Sequence, residues 1–180
     1  PQTRHKPRNP IQHYAFVHDP EARRRYWARA TVGWTRFRGA APNAGHRALA
    51  EMERDGSLVG LITQNVDRLH QAAGSARVVE LHGALADVEC LACGAREDRE
   101  ELQHRLLVLN PDWLERSAEL APDGDADLPA EHVARFRLAD CLACGGPLKP
   151  AVVFFGGNVP APVVERAFAL LAEGDALLVV

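Results

Sequence analysis

No stretch of this 180-residue chain approaches the roughly 18 consecutive apolar residues a membrane-spanning helix needs, which argues against a membrane role. No charged-then-apolar leader with a small-residue cleavage site opens it, so nothing points to secretion. A dominant charge is also missing. The chain has 21 Lys and Arg against 24 Asp and Glu, a net charge of −3, which removes the global electrostatic case for a direct nucleic-acid partner. The arginines that do cluster (Arg23, Arg24, Arg25, Arg29, Arg36, Arg38) read as a solvated helix face rather than a binding patch. What remains, 47% hydrophobic and 25% charged, fits a soluble globular chain with one core and a small satellite module.

Cysteine is absent outside two short pairs, Cys90-Leu-Ala-Cys93 and Cys141-Leu-Ala-Cys144, each followed by a glycine that lets the backbone turn tightly. Two C-x-x-C knuckles are the usual donor set of a structural tetrahedral zinc site. Two disulfides or two redox pairs are the alternatives. A redox C-x-x-C normally comes singly, and disulfides suit an oxidising compartment. Four thiolates close the coordination sphere, so the metal staples and the chemistry must lie elsewhere.

Along the chain, residues 1–10 are polar and basic without apolar periodicity. Residues 11–40 carry aromatics among arginines at spacings that suit short helices. Asn43 is a helix N-cap, the helix runs to about Arg54 with Ala48, Leu49 and Met52 as its stripe, and Gly56 ends it. Leu58–Thr63 and Arg77–His82 read as strands, and Pro162–Ala172 as a helix. Glu97–Leu109 is helical by period and residues 121–127 form a turn-rich loop. Ala151–Phe155 and the terminal Asp175–Val180 read as buried strands. A chain seldom stops on such a strand, so a piece of a larger domain is expected.

In an open α/β sheet, ligands bind at the carboxyl ends of strands. Gln64, Asn65 and Asp67 follow one strand directly, and His82-Gly83 closes another. Asn65 or Asp67 could simply cap a short helix running to Ala73, but capping needs one such residue, not three. A histidine at a strand end is as readily structural as catalytic; its imidazole suits a general base at neutral pH. The Gly156-Gly157-Asn158 loop is either a plain turn or an edge where a peptide backbone docks.

Taken together, Thr63–His70, Glu80–Gly83, the paired knuckles, Gly146–Gly156 with Val159-Pro160, and the opener Pro42–His46 resemble the ordered motif set of the sirtuins, the NAD-dependent protein lysine deacylases. Pro10–His13, Arg25–Ala28, Val32–Trp34 and Leu120–Asp125 resemble the class II branch. The resemblance spans nearly the whole chain. It implies an α/β fold: a Rossmann-like parallel sheet, incomplete here, with an inserted zinc-ribbon module and a small helical module. The corresponding division is 1–40 as helical cover, 41–83 with 147–180 as the partial NAD-binding domain, and 84–146 as the zinc insert.

The resemblance further implies NAD and one structural Zn2+ as cofactors. Gln64, Asn65 and Asp67 would contact the nicotinamide riboside half. His82 would be the general base: nicotinamide leaves as the acyl oxygen attacks the anomeric carbon, and His82 then helps a ribose hydroxyl attack the resulting imidate. Val153, Phe155 and Gly156 would line the acyl-lysine tunnel and pair with the backbone of an acyl-lysine protein or peptide. Ala151 and Gly157 stand where many members carry acidic residues, which bears on substrate preference. The family's opening glycine-rich NAD motif and the segment after Val180 are not in the sequence. NAD binding by residues 1–180 alone is therefore expected to be weak or absent. An NAD-dependent ADP-ribosyltransferase or lipoamidase on the same scaffold is the first alternative, and a non-enzymatic zinc-stapled binding module the second. The Ala- and Arg-rich composition leans toward a bacterial cytoplasm, or the mitochondrial matrix in a eukaryote.

Overall fold

The aromatic and arginine-rich opening becomes two helices, α1 (His13–His18) and α2 (Pro20–Arg38). Asp19 divides them: its carboxylate accepts from the Glu21 amide, and Pro20 sits in the first turn, where no N–H is needed. The structure, a computed structural model, describes residues 10–115, 119–120, 126–128 and 130–180, with only the backbone of 119–120 and 126–127. The stretch before Pro10 and residues 121–125 of the turn-rich loop lie outside the described residues. α2 is one helix of 19 residues, not several short ones, because no internal proline interrupts its ladder. Its arginines are only partly a solvated face. Arg23 donates to the carbonyls of Phe16 and Val17 and Arg24 to that of Phe136, while Arg25, Arg36 and Arg38 are exposed.

α3 (Ala44–Arg54) starts as the sequence predicts. The Asn43 side chain accepts from the His46 amide at 3.1 Å, and the His46 ring returns to the Asn43 backbone, a reciprocal capping box. Gly56, at φ 83°, follows its end. Two short parallel strands come next, β1 (Leu61–Thr63) and β2 (Val78–Glu80), paired Leu61 to Val78 and Thr63 to Glu80. Between them lies the one-turn α4 (Leu69–Ala72). Both strands are shorter than the runs read from sequence, so His82 falls in the turn after β2.

β3 (Gly83–Cys90) is the central strand of an antiparallel sheet, flanked by β4 (Arg96–Asp98) and β7 (Leu148–Val152). α5 (Arg99–Leu109) follows β4 with Asp98 as its cap. A two-rung hairpin, β5 (Glu119–Leu120) with β6 (Ala126–Asp127), and a single turn, α6 (Ala130–Val133), lead to the second knuckle. α7 (Ala161–Ala172) packs against β2, the helix expected from Pro162 onward.

One hydrophobic cluster joins α1 and α2 to β3, α5 and β7: Phe16, Trp27, Val88, Leu102, Leu106, Trp113, Phe136, Leu148 and Phe154 are all buried. Both indoles that enter it satisfy their N–H groups, Trp27 on the Leu148 carbonyl (3.0 Å) and Trp113 on that of Ala28 (2.8 Å). Arg99 lies between the rings of Trp27 and Trp34 and donates to the Ala30 carbonyl. Burial pulls its pKa down to about 10, and it stays charged at neutral pH.

The terminal run does not form the expected strand. Residues 175–180 have no ladder partner among the described residues, and Leu177, Leu178, Val179 and Val180 are exposed. Apolarity marks a segment that could be buried, but a strand also needs a neighbour's N–H and C=O groups. Likewise β7 ends at Val152, and Phe155 is exposed while Phe154 is buried. No helix of the described residues is long and apolar enough to cross a membrane.

Asn43→Ala removes the oxygen that caps α3 and is expected to cost about 1 kcal/mol of stability. The urea midpoint reads this directly, and an unshifted midpoint would reject the cap as a stabilising contact.

Candidate functional site

The two knuckles meet across the sheet. β3 ends on Cys90, and the turn bearing Cys141 and Cys144 leads into β7. Each closes with an amide returning over its loop, Gly94 N–H to the Cys90 carbonyl (3.0 Å) and Gly145 N–H to that of Cys141 (2.8 Å), with both glycines at φ 72°. The sulfurs interleave: Cys90 lies 3.5 Å from Cys144 and Cys93 3.8 Å from Cys141, and all four fall within 4.8 Å of one another. Zinc–thiolate bonds of about 2.3 Å in a tetrahedron put sulfurs roughly 3.8 Å apart, which these spacings match. A disulfide needs about 2.05 Å, and all four cysteines are free.

Further details favour a cation. A Cβ at Gly146 would stand 3.1 Å from the Cys90 sulfur and 3.2 Å from that of Cys144, so glycine leaves the sulfurs room. Amides of Ala92 and Gly146 point at these two sulfurs at 3.4 Å. The Cys93 and Ala92 amides draw Cys90 down to about 6, while the crowding thiols, Cys93 foremost, push Cys144 up to about 12. Four sulfurs this close cannot all ionise without a positive charge among them, and a divalent ion supplies it. The residues fit one structural Zn2+.

A second site is a cleft of about 480 Å³ between β2, β3, the exit of β7 and α7. His82 and Val153 line it. They are joined by the backbone, Val153 N–H to the His82 carbonyl at 2.9 Å. Gly83 makes that junction feasible. It sits at φ 72°, and a Cβ there would come within 2.0 Å of the Ala151 carbonyl oxygen. The His82 imidazole makes no side-chain hydrogen bond among the described residues, which leaves both nitrogens for a ligand.

Gln64 and Asn65 stand exposed just past β1, and neither side chain has a partner among the described residues. Asp67 is part-buried, and its carboxylate accepts from the Leu69 amide at 3.0 Å, the capping contact that the sequence offered for it. His70, in α4 just after that loop, packs on the His46 ring at 4.7 Å. Burial, then His46, lower its pKa against the pull of Asp67, and it stays neutral at pH 7. The structure does not gather Gln64, Asn65 and Asp67 into the wall that His82 and Val153 share. They occupy the neighbouring strand end, tied to the His82 turn by Leu81 N–H to the Thr63 carbonyl and Leu85 N–H to the Val66 carbonyl, both 2.9 Å.

Phe155 and Gly156 are exposed beyond β7. The Phe155 carbonyl accepts from His13 N–H and the Phe154 carbonyl from Gly157 N–H, each at 2.8 Å. Part of the presumed docking edge is therefore already paired within the chain. The cleft also holds charged residues that sequence reading did not single out: Arg68, Glu80, Asp87 and Lys149. The Lys149 ammonium spends its three protons on Glu89 and on the carbonyls of Pro150 and Val152. Burial works against the Arg68 charge, but Asp87 and Glu80 outweigh it and hold its pKa above the ordinary value. Arg68 and Glu80 lay inside quoted motifs; nothing local in the sequence pairs them with Asp87.

Cys93→Ser is expected to lose the metal and to melt the β4–β3–β7 sheet early, since such ligation is worth on the order of 10 kcal/mol to a small site. One zinc per chain by mass spectrometry together with an unchanged Tm would contradict the stapling role. Gly83→Ala forces a side chain into left-handed backbone and against a carbonyl, and about 1–3 kcal/mol is lost to the backbone alone; wild-type thermal stability in that variant would refute the close contact.

The family profile described as the Sir2 family matches residues 3–180. The chain is 50% identical over 171 residues to NAD-dependent protein deacetylase 2 of Bradyrhizobium diazoefficiens, covering 95% of this chain and 63% of that protein. It is 54% identical over 170 residues to NAD-dependent protein deacetylase 1 of Streptomyces coelicolor, covering 94% and 57%. A solved complex of Sir2 with a p53 peptide and NAD+ superposes with a TM-score of 0.62 at 31% identity, covering 88% of this chain and 54% of that one. The chain thus spans about six-tenths of the length of these two relatives. With a profile match from end to end, half the residues shared and the knuckles closed on one metal site, the chain belongs to the Sir2 family.

Proposed function

We propose that this chain carries the zinc module and part of the catalytic cleft of an NAD-dependent protein lysine deacylase. The observation that carries the reading is His82, free of side-chain hydrogen bonds among the described residues and lining a cleft at a strand end beside Val153. NAD, when bound, supplies the acyl acceptor and a nicotinamide leaving group. Gln64, Asn65 and Asp67 are assigned to hold its nicotinamide riboside half. Their support is position: polar side chains past the carboxyl end of β1, two of them uncommitted among the described residues.

His82 is assigned as the general base, taking a proton at an imidazole nitrogen from a hydroxyl in the cleft. Val153 lends an apolar wall for an acyl chain. Phe155 and Gly156 offer a short edge to the backbone of an acyl-lysine peptide. Because Phe155 already receives His13, that edge falls chiefly to Gly156. The zinc stays remote from these groups and holds β3 against β7.

The division into a helical cover (1–40), a nucleotide-binding part (41–83 with 147–180) and a zinc insert (84–146) belongs to the same proposal. So does a reducing compartment, the cytoplasm or in a eukaryote the mitochondrial matrix, where thiolates stay available to zinc. A protein or peptide bearing acyl-lysine is the partner, with no direct role for nucleic acid or membrane.

Nicotinamide release from NAD, measured on the full-length protein over short- and long-chain acyl-lysine peptides, tests the reading. Release should require an acyl-lysine. His82→Ala should retain fold and zinc and lose turnover by at least about 100-fold, the scale of a general base. Release without any acyl-lysine would indicate ADP-ribosyl transfer or NAD hydrolysis, and full turnover in the variant would remove His82 from the chemistry.

A further inference from the structure

We propose that Arg68 is a positioning residue, a clamp that sets the Gln64–Asp67 loop against the turn carrying His82, and not a ligand for anionic groups in the cleft. The assignment rests on the function proposed above.

An arginine beside a nucleotide cleft is ordinarily read as a phosphate or carboxylate ligand. Here three of its five N–H donors already face carboxylates of the chain. Nη1 and Nη2 of Arg68 donate in parallel to the two carboxylate oxygens of Asp87, at 3.1 and 2.6 Å. Nε lies 3.4 Å from Glu80 Oε1, and Gln71 Nε2 donates to that same oxygen at 2.9 Å. A forked pair of this kind fixes direction as well as distance. The Arg68 side chain is 39% exposed and those of Glu80 and Asp87 20% and 30%, so the group is partly shielded from water.

The partners explain what the clamp holds. Glu80 ends β2 and Asp87 lies within β3, so they bracket His82 from both sides. Arg68 itself closes the loop that bears Gln64, Asn65 and Asp67. It does so in the left-handed conformation, φ 58° and ψ 20°, directly before α4. One guanidinium thus ties the cofactor-facing loop to both flanks of the base. The backbone repeats the tie through the Leu81 and Leu85 amides, which reach the carbonyls of Thr63 and Val66.

Two single variants and their double separate the clamp from an anion ligand. Arg68→Gly removes the guanidinium and accepts left-handed backbone freely. Asp87→Asn keeps the shape of the partner and removes its charge. In the full-length enzyme each is expected to lower kcat at least tenfold with the KM for acyl-peptide unchanged. The double variant should be no worse than the poorer single, and Arg68→Lys, which keeps charge without the fork, should fall between. An anion ligand behaves otherwise: Arg68→Gly would raise the KM for NAD, while Asp87→Asn, which frees the guanidinium, would leave it unchanged or lower it. That pattern, or losses that add in the double variant, overturns the clamp.

Amide hydrogen exchange reads the clamp without any turnover. Protection at Leu81 and Leu85 should fall together in both single variants, with zinc content and Tm retained. Unaltered protection at both amides overturns the proposal. A wild-type enzyme that releases no nicotinamide, with the exchange result intact, would instead remove the deacylase reading and leave the clamp standing.

Discussion

The pairing of β3 with β7 is the constraint on which the other features depend. β3 begins at Gly83, next to His82, and ends at Cys90, the first zinc ligand. β7 runs the other way, from just past the second knuckle to the residue before Val153. The register sets Cys90 opposite Leu148 and Gly83 opposite Val152, with a shift between Gly83 and Val88. A metal clip at one end of an antiparallel pair therefore fixes separations at the other. The Gly83 backbone must pass against Ala151, and only a residue without Cβ permits it. None of the four cysteines lines the cleft, so the β3–β7 ladder is the structural link between the metal site and the cleft.

Features written in local pattern were legible in the sequence. The four cysteines were, because two C-x-x-C turns need only neighbouring residues to form their knuckles. α3 was, because its cap, apolar stripe and terminal glycine lie on consecutive turns. That the polar cluster and His82 follow strands was legible from the apolar runs before them, although where the strands stop was not. Burial of Asp175–Val180 failed because an apolar run does not state which strand it pairs with. The Phe155 edge was read as open, yet it meets residues 12 and 13 from the far end of the chain. The Arg68–Asp87 pair was invisible for the same reason: it depends on the register of β3, which no local spacing encodes.

The two sites divide charge differently. At the metal site, four anionic sulfurs converge and need a cation from outside the chain. In the cleft several charges are met within the chain: Arg68 faces Asp87 and Glu80, and Lys149 faces Glu89. His82 in the cleft, and Gln64 and Asn65 at the neighbouring strand end, keep side chains without a hydrogen-bond partner among the described residues, and these are the groups proposed for ligand recognition.

The cluster of Phe16, Trp27, Val88, Leu102, Phe136 and Leu148 has a consequence for biosynthesis. The inner face of α2 emerges early from the ribosome, but its neighbours on β3, α5 and β7 are made much later, and Leu148 follows the last cysteine. Such non-local packing is slow to form, and exposed apolar surface meanwhile invites aggregation. The nascent helices must therefore wait, with two tryptophans uncovered, until the second knuckle has been translated and metal has drawn the strands together. The expected consequence is that zinc supply during synthesis limits the yield of folded chain, quite apart from any effect on the finished protein.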